Sequence, residues 1–189
     1  CGAEVVRDED GAALRCTGAE CPAQLLRNLT HFASRNAMDI DGLGPAVIQQ
    51  LVDSGLVRTA ADLYSLRPEQ IAELDRMGQK SARNAVEAIA RSREDDLWRL
   101  IFALGIRQVG EKAAKVLAAR FGSMDALSTA TEEELTAIDD VGPITAKYIR
   151  QWMDSPQSQD LLARLKAAGL NMTCKEEMVD RRFAGMTFV

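Results

Sequence analysis

From Leu25 to about residue 170 the apolar residues fall three or four apart, as in Leu25, Leu26, Leu29 and Phe32, and this spacing predicts helices over most of the chain. Ahead of that stretch stand Val5 and Val6, an acidic turn Asp8-Glu9-Asp10-Gly11, and Leu14 before Cys16. They predict a short β-hairpin whose ends carry thiols. Past Gly169 the pattern turns polar, with Lys175, Glu176, Glu177, Asp180, Arg181 and Arg182, and then apolar again over Phe183–Val189. This reads as a linker and the opening strand of another unit. The expected organisation is 1–22, 23–170 and 171–189.

The helical stretch repeats. A glycine preceded by an apolar residue occurs at Gly44, Gly78, Gly110 and Gly142, at steps of 34, 32 and 32 residues. One place before each stands Leu43, Met77, Val109 or Val141, and four places before stands Ile40, Leu74, Ile106 or Ile138. Four places after comes Ile48, Ala82, Ala114 or Ala146, followed by apolar positions such as Leu51, Leu117 and Ile149, which is the inner face of a helix. Pro45 and Pro143 follow their glycines directly, where a helix start tolerates proline. At an offset of 64, Leu63, Ile71 and Leu74 correspond to Leu127, Leu135 and Ile138, each set expected in a linking helix. The unit is a pair of hairpins, used twice.

A glycine in a tight turn lets a ligand approach the backbone, and the helix after it turns unpaired amides and the positive end of its dipole outward. Such a turn can cradle phosphate, and two side by side can grip a sugar-phosphate strand without reading its bases.

Charge limits how this works. With 23 basic and 28 acidic residues the 189-residue chain carries a formal charge of -5, which excludes a polycationic wrapper of nucleic acid. Any grip on phosphate must be local. Between Leu74 and Ser92 four basic residues (Arg76, Lys80, Arg83, Arg91) meet two acidic ones, and between Leu104 and Arg120 four (Arg107, Lys112, Lys115, Arg120) meet one. The second and third hairpins are therefore expected to make the strongest phosphate contacts. Apolar residues at 47% and charged at 27% suit a folded globular chain. The longest apolar run, Leu100 to Ile106, has seven residues against roughly 18 to 20 for a membrane span. Three of four cysteines, Cys1, Cys16 and Cys21, crowd the start of the chain and suggest a metal knuckle in a reducing compartment.

The hairpins resemble helix-hairpin-helix motifs, and His31 to Gly44 (HFASRNAMDIDGLG), Ala103 to Gly110 (ALGIRQVG) and Cys16 through Gln24 resemble the corresponding parts of bacterial NAD-dependent DNA ligases. The resemblance covers nearly the whole chain. It implies a mainly α fold with four tandem helix-hairpin-helix motifs in two pseudo-symmetric pairs, preceded by a small zinc-finger β-hairpin (1–22) and followed by a linker and the first strand of a BRCT domain (171–189). It also implies that the chain is a piece of a longer, cytoplasmic, nucleoid-associated monomer that seals nicks in replication and repair, with no membrane contact. The same resemblance implies that this piece closes around double-stranded nicked DNA.

In that family the adenylated lysine lies in an upstream domain within Lys-x-Asp-Gly, and no lysine here is followed by that pattern. The resemblance thus implies no catalytic residue in this chain. NAD and magnesium belong to the full-length enzyme, and upstream adenylation and oligonucleotide-binding domains are its partners. The implied DNA-binding residues are Gly42, Gly44, Gly78, Lys80, Arg83, Arg107, Gly110, Lys112, Gly142 and Lys147. The implied zinc ligands are Cys1, Cys16 and Cys21, with the first of the family's four upstream of this sequence. The family's usual hairpin has a second glycine two places before the first, and only Gly42 supplies it; the other copies carry Arg76, Gln108 and Asp140, the last expected to repel phosphate.

A competing reading is a non-enzymatic helix-hairpin-helix module that recruits another repair protein. Among single residues, His31 is expected to be packed and hydrogen-bonded, Cys174 a bystander thiol, and Trp98 and Trp152 core anchors.

Overall fold

The computed structural model describes residues 5–7, 14–16 and 22–175, with side chains from residue 24. Two short strands, β1 (Val5–Arg7) and β2 (Leu14–Cys16), pair antiparallel with Val5 opposite Cys16 and Arg7 opposite Leu14. Ten helices follow among the described residues. In chain order they are α1 (Pro22–Ala33), α2 (Pro45–Asp53), α3 (Pro68–Ala72), α4 (Gln79–Ser92), α5 (Leu97–Ala103), α6 (Glu111–Phe121), α7 (Met124–Thr129), α8 (Glu132–Thr136), α9 (Pro143–Asp154) and α10 (Pro156–Ala167). A 3₁₀ helix, Ala60–Ser65, lies between α2 and α3.

The later part of each half repeats almost residue for residue. Ala60–Ser65 and α3 recur 64 positions on as α7 and α8, and the start of α4 recurs as that of α9. The expected linking helix is a correction: each copy is broken in two. Leu66 and Arg67 are extended ahead of Pro68, because a residue before proline is pushed out of the helical region. In the other half Ala130 and Thr131 are extended, and Thr131 opens α8 with a capping box to Glu134. The apolar register survives the break, since Leu63, Leu127, Ile71 and Leu135 are all fully buried.

One hydrophobic cluster runs from Leu29 to Leu170 through both halves. The residue four after each hairpin glycine, Ile48, Ala82, Ala114 or Ala146, is 0% exposed, so the helix after every hairpin buries the same face. Trp98 and Trp152 pack against this cluster but stay half-buried. The Trp98 ring is covered by Arg99 and by Lys115, whose nitrogen lies 4.4 Å from the ring centroid. His31 sits edge-on to Phe102 with its Nε2 2.7 Å from the Phe102 carbonyl, as expected for a packed histidine.

Helix α10 closes the back of the molecule. Arg164 bonds Asp62 and Thr59 of the first half, and Lys166 bonds Asp125 of the second. The chain then runs back across both halves. The Cys174 amide bonds the Gly122 carbonyl at 2.8 Å, Asn171 bonds the carbonyl of Arg93, and the Lys175 amide bonds Asp96. The expected strand over Phe183–Val189 lies outside the described residues.

Candidate nucleic-acid interface

Each of the four turns is built alike. The carbonyls of Ile40, Leu74, Ile106 and Ile138 accept from the amides of Leu43, Met77, Val109 and Val141 at 3.0 to 3.4 Å. The third residue of each turn is left-handed: φ is 88° at Gly42, 61° at Arg76, 64° at Gln108 and 70° at Asp140. Positive φ at that position with the i to i+3 bond is the type II requirement, which glycine meets freely and other residues at a cost of roughly 1 to 2 kcal/mol each. The second to fourth hairpins thus depart from the glycine pattern in residue type only; the backbone keeps it.

Two residues on, Gly44, Gly78, Gly110 and Gly142 cap α2, α4, α6 and α9. All four are exposed, all have ordinary extended backbone, and none supplies a side-chain cap. Three other helices start with a bonded side chain: Asp96 accepts from the Trp98 amide, Ser123 from Ala126 and Thr131 from Glu134. Such a cap contributes about 1 kcal/mol. The hairpin helices forgo it and leave first-turn amides open to a ligand, although Pro45 and Pro143 remove one donor from the first and fourth.

The predicted basic residues divide. Lys80, Arg83 and Lys147 are exposed and make no ion pair among the described residues. Lys112 is exposed but bonded to Asp140 at 2.9 Å, which joins the third hairpin to the fourth. Arg107 is half-buried, its guanidinium 4.4 Å from the centroid of the Tyr148 ring on α9. Asp140, expected to repel phosphate, is therefore already occupied by a cation. Gly42 differs from the capping glycines, because a Cβ there would meet the Ala85 Cβ at 3.2 Å.

Sequence reasoning did not anticipate a set of arginines turned inward onto carbonyls. Arg93 bonds Ala168 and Tyr64, Arg99 bonds Ala37 and Arg35, and Arg150 bonds Ser128 and Ala130. These bonds tie helix ends together. Arg93 follows α4 and Arg99 stands in the first turn of α5, but Arg150 lies inside α9, so no shared sequence signal marks them.

The shifted titratable groups lie away from the hairpin tips. Burial pushes the Tyr64 hydroxyl up to about 12 while it donates to Ser92 at 3.0 Å. Burial also raises Asp95, against the opposing pull of Arg99. At Asp62 burial is outweighed by the amides of Arg58 and Thr59 and by Arg164, which hold the carboxyl below its usual range. Two of these shifts come from burial and one from hydrogen bonding, and none puts a tuned acid or base on the hairpin face.

Comparison with known proteins agrees with this arrangement. Residues 34–91 match the SAM-like helix-hairpin-helix tandem family, and residues 99–162 the helix-hairpin-helix motif family. Residues 1–23 match the NAD-dependent DNA ligase C4 zinc finger domain. A DNA ligase of Trichlorobacter lovleyi is 53% identical over 190 residues, covering 100% of this chain and 28% of the relative. One from Marinobacter nauticus is 54% identical over 180 residues, covering 95% of this chain and 26% of the relative. Over its whole length this chain matches one segment of such ligases. It spans about a quarter of the length of the ligases it matches.

A C4 finger takes four thiolates in a tetrahedron around structural zinc. The ladder of β1 and β2 puts Cys16 opposite Val5, so the chain leading back to Cys1 and the chain leading on to Cys21 leave from the same end of the hairpin. To that extent the residues fit the metal. Cys1, Cys21 and the Cys16 side chain lie outside the described residues. Within those described, no cluster of three or more His, Cys, Asp or Glu could hold a metal ion, and no helix is long and apolar enough to cross a membrane.

Proposed function

We propose that this chain is the part of an NAD-dependent ligase that holds double-stranded nicked DNA by its backbone, without reading sequence, while adenylation and oligonucleotide-binding domains elsewhere in the protein seal the nick. The four capping glycines carry this reading. A Cβ built on Gly44, Gly78, Gly110 or Gly142 would meet nothing within 4 Å, and φ between -71° and -92° suits any residue. Nothing inside the protein requires glycine at these positions, so the requirement comes from outside. A phosphate brought up to the first-turn amides supplies it.

The second and third hairpins, with Lys80, Arg83 and Lys112 beside their glycines, are the main phosphate sites, and the first and fourth add Gly42, Gly44, Gly142 and Lys147 to the same face. Arg107 lines it through Tyr148. The proposal extends to a zinc finger over 1–22 with Cys1, Cys16 and Cys21 as three thiolate ligands and the fourth from outside them, a hairpin domain over 23–170, and a linker into a BRCT strand over 171–189. NAD and magnesium serve the nick-sealing parts. The proposal includes, from the resemblance to those ligases, a cytoplasmic, nucleoid-associated monomer.

Fluorescence anisotropy with a nicked duplex tests the cradle. Gly78→Val or Gly110→Val should weaken binding about tenfold, because a bulky cap blocks several amides together, and Lys80→Ala only about threefold. The glycine variants should lose no more than about 1 kcal/mol of stability, since the space is open and valine is only a poorer cap. Equal or reversed losses would overturn the mechanism.

A further inference from the structure

Counted from its capping glycine, each hairpin sets the second residue of the next helix at the tip and the fifth one turn behind it, on the same face. These pairs are Ala46 and Gln49, Lys80 and Arg83, Lys112 and Lys115, and Ile144 and Lys147. Where the second and third hairpins lead with lysine, the fourth leads with isoleucine. Ile144 is 58% exposed, the one exposed large hydrophobic among the described residues. Pro143 and Gly142 beside it are exposed as well, and Lys147 behind it is an exposed cation with no ion pair among the described residues.

We propose that Ile144 is a DNA contact of a second kind, an apolar knob packed on deoxyribose faces in the minor groove while Lys147 reaches the phosphate behind it. The proposal rests on the reading that the hairpins face duplex DNA. Three observations select this occupant. The residue holds the repeat position that is lysine in two sister hairpins, so it faces the same partner. The cation one turn back calls for a polyanion. Of this turn's two acidic residues, Asp139 and Asp140, the second is paired with Lys112 at 2.9 Å, which lowers the repulsion that the approach meets. Proteins that hold the minor groove frequently set apolar side chains, isoleucine among them, into it.

The contact has a signature that a phosphate contact lacks. Burial of an aliphatic side chain releases no counterions, so its loss weakens binding equally at all salt concentrations, whereas loss of a phosphate-bound lysine flattens the slope of log K against log salt by about one. Binding of this chain to a nicked duplex, titrated from low to high KCl, should show Ile144→Ala about fivefold weaker with an unchanged slope. Lys147→Ala should be weaker with a flatter slope. Thermal unfolding of Ile144→Ala should match wild type, because the side chain stands in water. Undiminished affinity in Ile144→Ala while wild type binds would overturn the proposal. A gain in affinity with a steeper slope in Ile144→Lys would also overturn it, since the tip would then face phosphate. A wild-type chain that fails to bind any duplex would instead remove the reading beneath it.

Discussion

The two hairpin pairs share one fold but are closed by different means. In the first, Gly42 sits so near α4 that an added Cβ would come within 3.2 Å of the Ala85 Cβ, and Gln50 of α2 takes the Asp75 amide at 2.7 Å. In the second, the corresponding residues are the larger Gln108 and Ile149, and charged side chains span the gap instead. Arg107 covers Tyr148, and Lys112 bonds Asp140. One pair is closed by backbone contact that salt and pH do not reach. The other is spanned by a half-buried arginine and one exposed ion pair, and a polyanion can compete for the latter, so it is the pair able to adjust to what it binds.

The largest effect should come from removing the backbone contact. Gly42→Ala combines a left-handed φ of 88° with the crowded Ala85. It should cost about 2 to 3 kcal/mol in urea-induced unfolding. At the matching position of the second pair, Gln108→Gly relieves the same conformation without any close neighbour to satisfy. It should stay within about 1 kcal/mol of wild type, because relief of strain is offset by glycine's greater freedom when unfolded. Equal losses at the two positions would erase the contrast.

Acid should separate the halves next. The first linking segment starts at Thr59 under the carboxylate of Asp62, which accepts the amides of Arg58 and Thr59 and bonds Arg164. The matching start in the second half, Ser123, uses a neutral hydroxyl. The folded pKa of Asp62 is depressed, so the stability it contributes is present above the unfolded value of about 3.9 and is lost as pH falls through the folded one. Asp62→Asn should therefore destabilise at pH 7 by about 1 kcal/mol, with the difference from wild type shrinking toward pH 3. A difference that stays constant across that range would remove Asp62 from the acid response.

Much of this was legible in the sequence because it is periodic. The glycine spacing, the buried residue four places on and the offset of 64 each mark a position whose environment recurs, and recurrence reads through without coordinates. The left-handed residue before each glycine was only half legible. Arg76, Gln108 and Asp140 look like departures from a glycine pattern, yet the i to i+3 bond holds all of them at positive φ. The breaks in the linking helices were marked by Pro68 and by the Thr131 to Glu134 capping box, but an uninterrupted apolar register masked them. The contacts that set one hairpin against the next were not legible. Lys112 and Asp140 are 28 residues apart, and Arg93, Arg99 and Arg150 reach carbonyls whose positions depend on packing. In an unfolded string such cations look the same as Lys80.

The smallest effect should be the most informative about DNA. Lys112 and Asp140 are both exposed, and a pair of that kind contributes about 0 to 1 kcal/mol, so a phosphate can displace the carboxylate at little cost. Asp140→Asn removes the competitor and its charge together. It should tighten nicked-duplex binding about threefold and steepen the salt dependence by up to about one counterion. Lys112→Ala in the same background should cancel the gain, because the two substitutions act through one cation. In the first pair the equivalent of Asp140 is Arg76, which faces no such competitor, so Arg76→Ala should loosen binding by about the same factor. Were Asp140→Asn to weaken binding instead, the carboxylate would be holding Lys112 in the reach of DNA, and the exposed bridge of the second pair would count as preorganisation, as the Gly42 contact does in the first.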